Sequence, residues 1–298
     1  MVVLDELRFP GKKPLLDVMG GSASYGTLGV RLFAVNDGPD RPTSIGCLVL
    51  AGKDFSEVVR LSTRGLLKYE DTTFGPKKFK YTTEPLKPSP SDLVSTPLLT
   101  SRTYHFLATP EDLARQVSEQ LQLRIGNGVE LKPLLVWEPF PPACQAQNLD
   151  SILAALDFQP EVLESCAQTF LDHSIGPQGD GCIVIRASEH GSLSASRAAG
   201  FIWSPAFYPP DLDTSRIVDP TGAGNAYIGG FAMGLQHNLT LEKAAAYGNV
   251  AASFALEQIG LPELKVQDPV ETGNEVKVLD RLEEYNSRLT SLEIRLDT

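Results

Sequence analysis

Apolar positions recur along this chain at two periods, and the period decides the element. Three continuous apolar runs read as strands buried on both faces: Ile45 to Ala51, "PLLVWEP" ending at Pro139, and Cys182 to Ala187. Between them the spacing shifts to three and four. Leu113, Val117 and Leu121 share one helical stripe behind Thr109 and Pro110, an N-cap followed by a first-turn proline. Leu163, Ala167 and Phe170 form a second stripe ahead of Cys182. Asp54 with Glu57 reads as a capping box opening a helix that ends near Gly65, and Thr240 as the cap of another. A charged final helix is expected around 276–289.

Strands alternating with helices over this length argue for an α/β fold, a mostly parallel sheet covered on both faces, with 1–298 as one domain. Ligands of such sheets gather at the carboxyl ends of the strands. The segment of about 71–94 breaks the alternation, being rich in Thr, Lys and Pro, and reads as a small antiparallel β lid. Within it, "KKFKY" sets Phe79 and Tyr81 against Lys78 and Lys80 as a half-exposed strand. Such a lid can close a pocket or join a second subunit as a homodimer.

Composition narrows the partners. The 298 residues are 42% hydrophobic and 21% charged, with a formal net charge of -11. That charge, without a sustained basic patch, argues against direct nucleic-acid binding. No apolar stretch approaches the ~20 residues of a membrane helix, so no membrane partner is expected. "MVVLDELRFPGKK" carries acidic residues where a leader peptide has its apolar centre, and Cys47, Cys144, Cys166 and Cys182 are scattered as buried thiols. A cytoplasmic location is the expectation. His105, His173, His190 and His237 lack metal-site spacing, and neither a GxSxG elbow nor a Walker lysine occurs.

The chemistry concentrates in "DPTGAGNAYIGGF", Asp219 to Phe231. Gly222 and Gly224 free the backbone to aim successive amides at one point, and Ile228, Phe231 or Ala232, and Leu235 place that turn at a helix N-terminus. An anion, phosphate above all, fits there, although the same residues also make a ligand-free strand-to-helix turn.

The stretch resembles the C-terminal signature of the PfkB, or ribokinase-like, carbohydrate kinases. "MGGSASYGTLGVRLF" from Met19 to Phe33 is similar to that family's first signature, and "IVIRASEHGSL" to its nucleotide-side strand and turn. "WEPFPP", "RASEHG" and "DPTGAGN" together look closest to a fungal branch named for killer-virus maintenance. The resemblance implies a ribokinase-like three-layer α/β/α fold with a small β lid, with ATP and Mg2+ as cofactors. It also implies transfer of the γ-phosphate to a hydroxyl of a small sugar-like or nucleoside-like metabolite.

Carried over by position, Gly222, Ala223 and Gly224 would form the anion hole, and Asn225 stands where the family has its Asp base. An amide cannot take up the hydroxyl proton. Asp5, at the end of a first strand, with Gly20 and Gly21, would bind substrate, and Tyr25 falls where the family often has a sugar-binding Asn. Arg186, Ser188, Asp219 and Thr221 would serve the nucleotide and its cation. Two alternatives stand beside the kinase: a catalytically silent nucleotide or metabolite binder, and an enzyme of another class that reuses the pocket.

Overall fold

Strand β1 (Val3–Arg8) is buried along most of its length and returns through Pro10 and Gly11 as its antiparallel partner β2 (Leu15–Gly20). β2 feeds directly into helix α1 (Ser22–Phe33) at Gly21, whose φ of 90° suits only glycine. The structure is a computed structural model that describes residues 1–34, 45–47, 49, 63–72, 74, 77–139, 159–212, 214–267 and 270–296. The next elements are β3 (Arg64–Tyr69), β4 (Lys77–Tyr81), β5 (Thr103–Ala108), α2 (Pro110–Gly126), β6 (Leu134–Pro139), α3 (Pro160–Asp172) and β7 (Cys182–Arg186). They are followed by β8 (Ser192–Ser196), β9 (Gly200–Ser204), α4 (Ala223–Gln236), α5 (Leu241–Leu256), β10 (Leu264–Gln267), β11 (Val270–Gly273) and α6 (Val278–Leu296).

Two compact units result. The first comprises Met1–Lys87, Arg186–Ser192 and Trp203–Thr298. Its four-stranded sheet has the order β2-β1-β3-β4, with β1 parallel to β3 and both edge strands antiparallel to their neighbours. Segment 71–94 supplies β4, at one edge of that sheet, and a short 3-10 turn at Pro90–Leu93.

Helices α1, α4 and α5 form the core of this unit, and their small residues set how closely they approach. A methyl added at Gly29 would strike the Ala226 carbonyl oxygen and lie 2.8 Å from the Gly230 nitrogen. One added at Gly229 would strike the Gly26 carbonyl oxygen and lie 2.9 Å from the Val30 nitrogen. The contact is reciprocal: each helix presents a glycine to the other's backbone. On its next face α4 meets the alanine-rich α5, where Gly234 lies against Ala244 and Gly230 against Ala251. Thr240 caps α5 as its sequence suggests, accepting from the Lys243 amide. Arg281 of α6 is 1% exposed, stacks 3.9 Å over the Phe254 ring and pairs with Glu257 at 3.1 Å, so a charge that would be costly alone is matched.

The second unit comprises Pro88–Ile185 and Leu193–Ile202. β5 and β6 pair in parallel, and α2 starts at the Thr109 cap, whose hydroxyl accepts from the Asp112 amide. Leu113, Val117 and Leu121 are only half-buried; the fully buried positions of α2 are Gln120 and Arg124. Arg124 donates to the carbonyls of Leu99, Ser101 and Leu131 and to the Tyr104 hydroxyl, satisfying loops that no strand reaches. Expected as a strand buried on both faces, β6 instead alternates between half-buried and exposed residues, and its Glu138 lies 3.3 Å from His105. In α3 the buried stripe is Leu163, Ala167 and Leu171, whereas Phe170 is 49% exposed, because i+4 steps track the core better than the i+3 step to Phe170.

The run Ile45 to Ala51 carries no strand at its described positions, and the rest of that run, the Asp54–Glu57 capping box and most of the helix expected behind it lie outside the described residues. Gly65, the expected end of that helix, belongs to β3. Among the described residues no helix is long and apolar enough to cross a membrane.

Gly29→Ala and Gly229→Ala are each expected to lower stability by about 1–3 kcal/mol in urea denaturation, since the new methyl meets backbone that cannot rotate away. Gly126→Ala, where nothing lies within 4 Å, is expected to be neutral or stabilising by up to about 1 kcal/mol.

Candidate active site

The close crossing of α1 and α4 brings their N-terminal glycine turns into one neighbourhood. The α4 turn is held from behind by the Val218 and Asp219 amides, which donate to the Leu256 carbonyl at 2.8 and 3.1 Å. Asp219, 2% exposed, accepts from the Thr221 amide at 2.9 Å and closes the turn on itself. Gly222 then takes the left-handed conformation, φ 85° and ψ -13°, and serves as N-cap of α4. Tyr25 of α1, 2% exposed, packs its ring against Gly222 where any side chain would have to stand. Glycine is therefore required twice over at this position, by its φ and by the ring.

The amides of the turn divide into engaged and unengaged ones. Ala223 donates to the Pro220 carbonyl over a long 3.3 Å, and the amides of Asn225 and Ala226 donate to the Gly222 carbonyl at 3.0 and 2.9 Å. The Gly222 and Gly224 amides make no such turn or cap bond among the described residues. They open at the positive end of a 14-residue helix, where anions are stabilised.

Two cations from other elements reach the same turn. A methyl at Gly224 would lie 2.6 Å from Arg186 Nη1 and 3.2 Å from its Cζ, so the guanidinium covers that glycine. Lys77 of β4 donates to Thr221 Oγ1, and its ammonium lies 5.3 Å from the centre of the Tyr69 ring. The Tyr69 hydroxyl stands 3.3 Å from the same Thr221 oxygen. Ser188, two residues past the end of the strand that carries Arg186, has a left-handed φ of 55° at the head of a short 3-10 turn.

Asp5 lies in the middle of β1, paired with Val18 and Gly65, and not at a strand end as its sequence position suggests. Its carboxylate is flanked by Gly20 at Oδ2 and Gly65 at Oδ1, and a side chain at either position would collide with it. It is 6% exposed, and Oδ1 has no hydrogen-bond partner. Burial pushes the Asp5 carboxyl up to about 6, against the opposing pull of Lys77. Burial likewise pulls the Lys77 ammonium down, while Asp219 and Asp5 push it up. Tyr25 and Tyr69 are both raised, first by burial and then by the field of Asp219 and Asp5. The charges of Asp219 and Asp5 thus act on Lys77 and on both tyrosines.

Every site residue named from the sequence belongs to the first unit, and the structure links Asp219, Thr221, Gly222, Tyr25, Gly224 and Arg186 by direct contact. Asn225 is half-buried in the first turn of α4. Sequence reasoning missed Lys77 and Tyr69. A signal was available: alternation along "KKFKY" places Lys77, Phe79 and Tyr81 on one face. Only strand pairing reveals that this is the face of Asp5.

Residues 172–266 match the family model described as pfkB family carbohydrate kinase. A Schizosaccharomyces pombe protein described as uncharacterized is 28% identical over 98% of this chain and 93% of its own length. Protein MAK32 of Saccharomyces cerevisiae is 27% identical over 91% of this chain and 86% of its own. Among solved structures, a putative Ribokinase II from E. coli superposes with a TM-score of 0.60 at 14% identity, covering 96% of this chain and 97% of that one. Ribokinase from Cryptococcus neoformans, solved in complex with ADP, gives 0.51 at 18% identity, covering 87% and 92%. The fold is ribokinase-like, the glycine turn and its helix lie inside the segment that matches the pfkB family model, and along most of its length the chain is similar to fungal proteins that include MAK32.

Proposed function

We propose that this protein transfers the γ-phosphate of ATP to a hydroxyl of a small sugar-like or nucleoside-like metabolite, slowly, because Asn225 cannot act as the base. The observation that carries this reading is convergence: two unengaged amides at a helix N-terminus meet Arg186 from β7 and Lys77 from β4. A turn serving structure alone has no use for two cations from two other elements. The donor set suits phosphate oxygens, which take backbone N–H groups, a guanidinium and an ammonium equally well.

In this reading Gly222, Ala223 and Gly224 hold the transferring phosphoryl oxygens, with Arg186 and Lys77 balancing charge on either side. Mg2+ would come with the phosphates, needing one or two protein carboxylates, for which Asp219 is the loop's own; it would screen their charge. Tyr25 acts through the turn it supports. The acceptor oxygen forms its bond to phosphorus as the bond to the departing diphosphate breaks, and the acceptor's proton leaves on a phosphoryl oxygen. Such transfer rests mostly on positioning and charge stabilisation, so loss of a general base, worth ~10²–10⁴-fold, slows it without abolishing it.

Asn225 also supports a second reading, a silent binder that holds nucleotide without turnover. Saturating Mg-ATP is expected to raise the thermal midpoint, and Asn225→Asp to increase ADP formation by roughly 10²-fold or more. Stabilisation without ADP from either protein would establish the silent binder. No stabilisation and no ADP would remove the kinase reading altogether.

Asp5 gives a pH signature. Its folded-state pKa, about 6, lies above the ordinary 3.8, so the folded chain holds the proton more tightly and stability falls as pH rises through that interval. The rise corresponds to roughly 3 kcal/mol. Asp5→Asn is expected to be more stable than the parent by about 2–3 kcal/mol at pH 7.5, with the gap closing near pH 4, as read by urea denaturation at both values.

A further inference from the structure

The glycine turn that opens α4 is anchored at the far end of α5. An α-helix leaves its last carbonyls without intrahelical partners, and at the end of α5 side chains take two of them. The Phe254 and Ala255 carbonyls accept from the Gln258 side-chain amide at 2.9 and 3.2 Å, and Asn274 adds a second bond to Phe254 at 3.2 Å. The Leu256 carbonyl accepts instead from the Val218 and Asp219 amides. Wherever that carbonyl points, the entry to the turn must follow.

Glu257, the C-cap residue of α5, adjoins that carbonyl and keeps its carboxylate only 7% exposed. Its Oε1 accepts from the Tyr208 hydroxyl, from Arg216 at 2.8 Å and from Arg281 at 3.1 Å, and its Oε2 accepts from Asn274 at 2.9 Å. Burial pushes the Glu257 carboxyl up, but the bonds from Tyr208 and Asn274 and the charge of Arg281 outweigh it and hold the group below its ordinary range. It is therefore an anion at neutral pH.

Tyr208 and Arg281 are buried, whereas the Arg216 side chain is 52% exposed. Arg216 stands two residues before Val218, in a bend that the Ile217 amide closes on the Thr214 carbonyl at 2.9 Å. Two rungs thus join the same pair of segments. One is backbone, from Val218 and Asp219 to Leu256, and the other is the ion pair from Arg216 to Glu257. An ion pair this exposed adds little to global stability, and Arg281 already matches the buried charge.

Resting on the phosphotransferase reading, we infer that Arg216 and Glu257 are positioning residues, whose ion pair holds the segment entering the turn against the end of α5 and so sets the aim of the Gly222 and Gly224 amides.

Glu257→Gln would also strip the buried Arg281 of its counter-charge, so the deciding variant is Arg216→Gln, with Arg216→Lys as its rescue. Hydrogen exchange at the Val218 and Asp219 amides, followed by NMR on the full chain without ligand, is expected to quicken roughly two- to thirtyfold in Arg216→Gln. The interior of α5 should exchange as before, and the thermal midpoint should stay within about 3 °C of the parent. Arg216→Lys should restore most of the protection. By calorimetry, Arg216→Gln should bind Mg-ATP more weakly than the parent by a similar factor. The inference is overturned if exchange at these two amides is unchanged, if it quickens equally throughout α5 and α6, if Arg216→Lys restores nothing, or if Arg216→Gln binds Mg-ATP as tightly as the parent. A parent that binds no Mg-ATP removes the phosphotransferase reading, and the exchange result then decides by itself whether the pair positions the turn.

Discussion

The backbone-to-backbone contact between α1 and α4 is the constraint on which the site depends. With Gly29 against the Ala226 carbonyl and Gly229 against the Gly26 carbonyl, the two helix axes approach more closely than any side chain allows. Each helix begins at a glycine turn, so fixing the helices fixes the turns. The Tyr25 ring then reaches from one helix to the Gly222 cap of the other, joining the Gly20–Gly21 end of β2 to the phosphate-type loop. Weak Cα–H contacts to carbonyls contribute at such crossings, but more comes from the dispersion attraction gained when two helices pack without a gap.

Charge in the site is arranged at a cost to the fold. Asp5 is buried with an oxygen unpartnered, and the nearby Lys77 offsets only part of its desolvation. Elsewhere in the same unit the chain handles buried charge differently: Arg281 and Glu257 are paired, and Arg216, Asn274 and Tyr208 also bond that carboxylate. The contrast is informative. At Asp5, flanked by Gly20 and Gly65, Oδ1 is left without a partner.

The turn from Asp219 to Phe231 was legible in the sequence because its conformation is encoded locally, by glycines that alone accept the required φ and by an apolar stripe that starts the helix. The Thr109 and Thr240 caps were legible for the same reason. Lys77 and Tyr69 were not, because their relation to Thr221 spans about 150 residues of chain and depends on which strand lies beside which. Phe170 misled because a helical stripe can step by three or by four, and here the step of four turns Leu171 inward. Asp5 was identified by type but placed at a strand end, since strand length is poorly marked when apolar and acidic residues alternate as they do in "VVLDELR".

One five-residue strand at the sheet edge carries the Lys77 ammonium beside Thr221 and the Phe79 and Tyr81 rings at every second position. Parity is therefore what the connection preceding β4 must conserve. Lengthening that connection by a single residue, with the hairpin otherwise re-forming, would turn Lys78 and Lys80 toward Asp5 and send both rings to the opposite surface. An apolar platform would become a basic one with no change in composition. Two residues would restore the alternation, so relatives of this chain are free to differ here by even steps and not by odd ones.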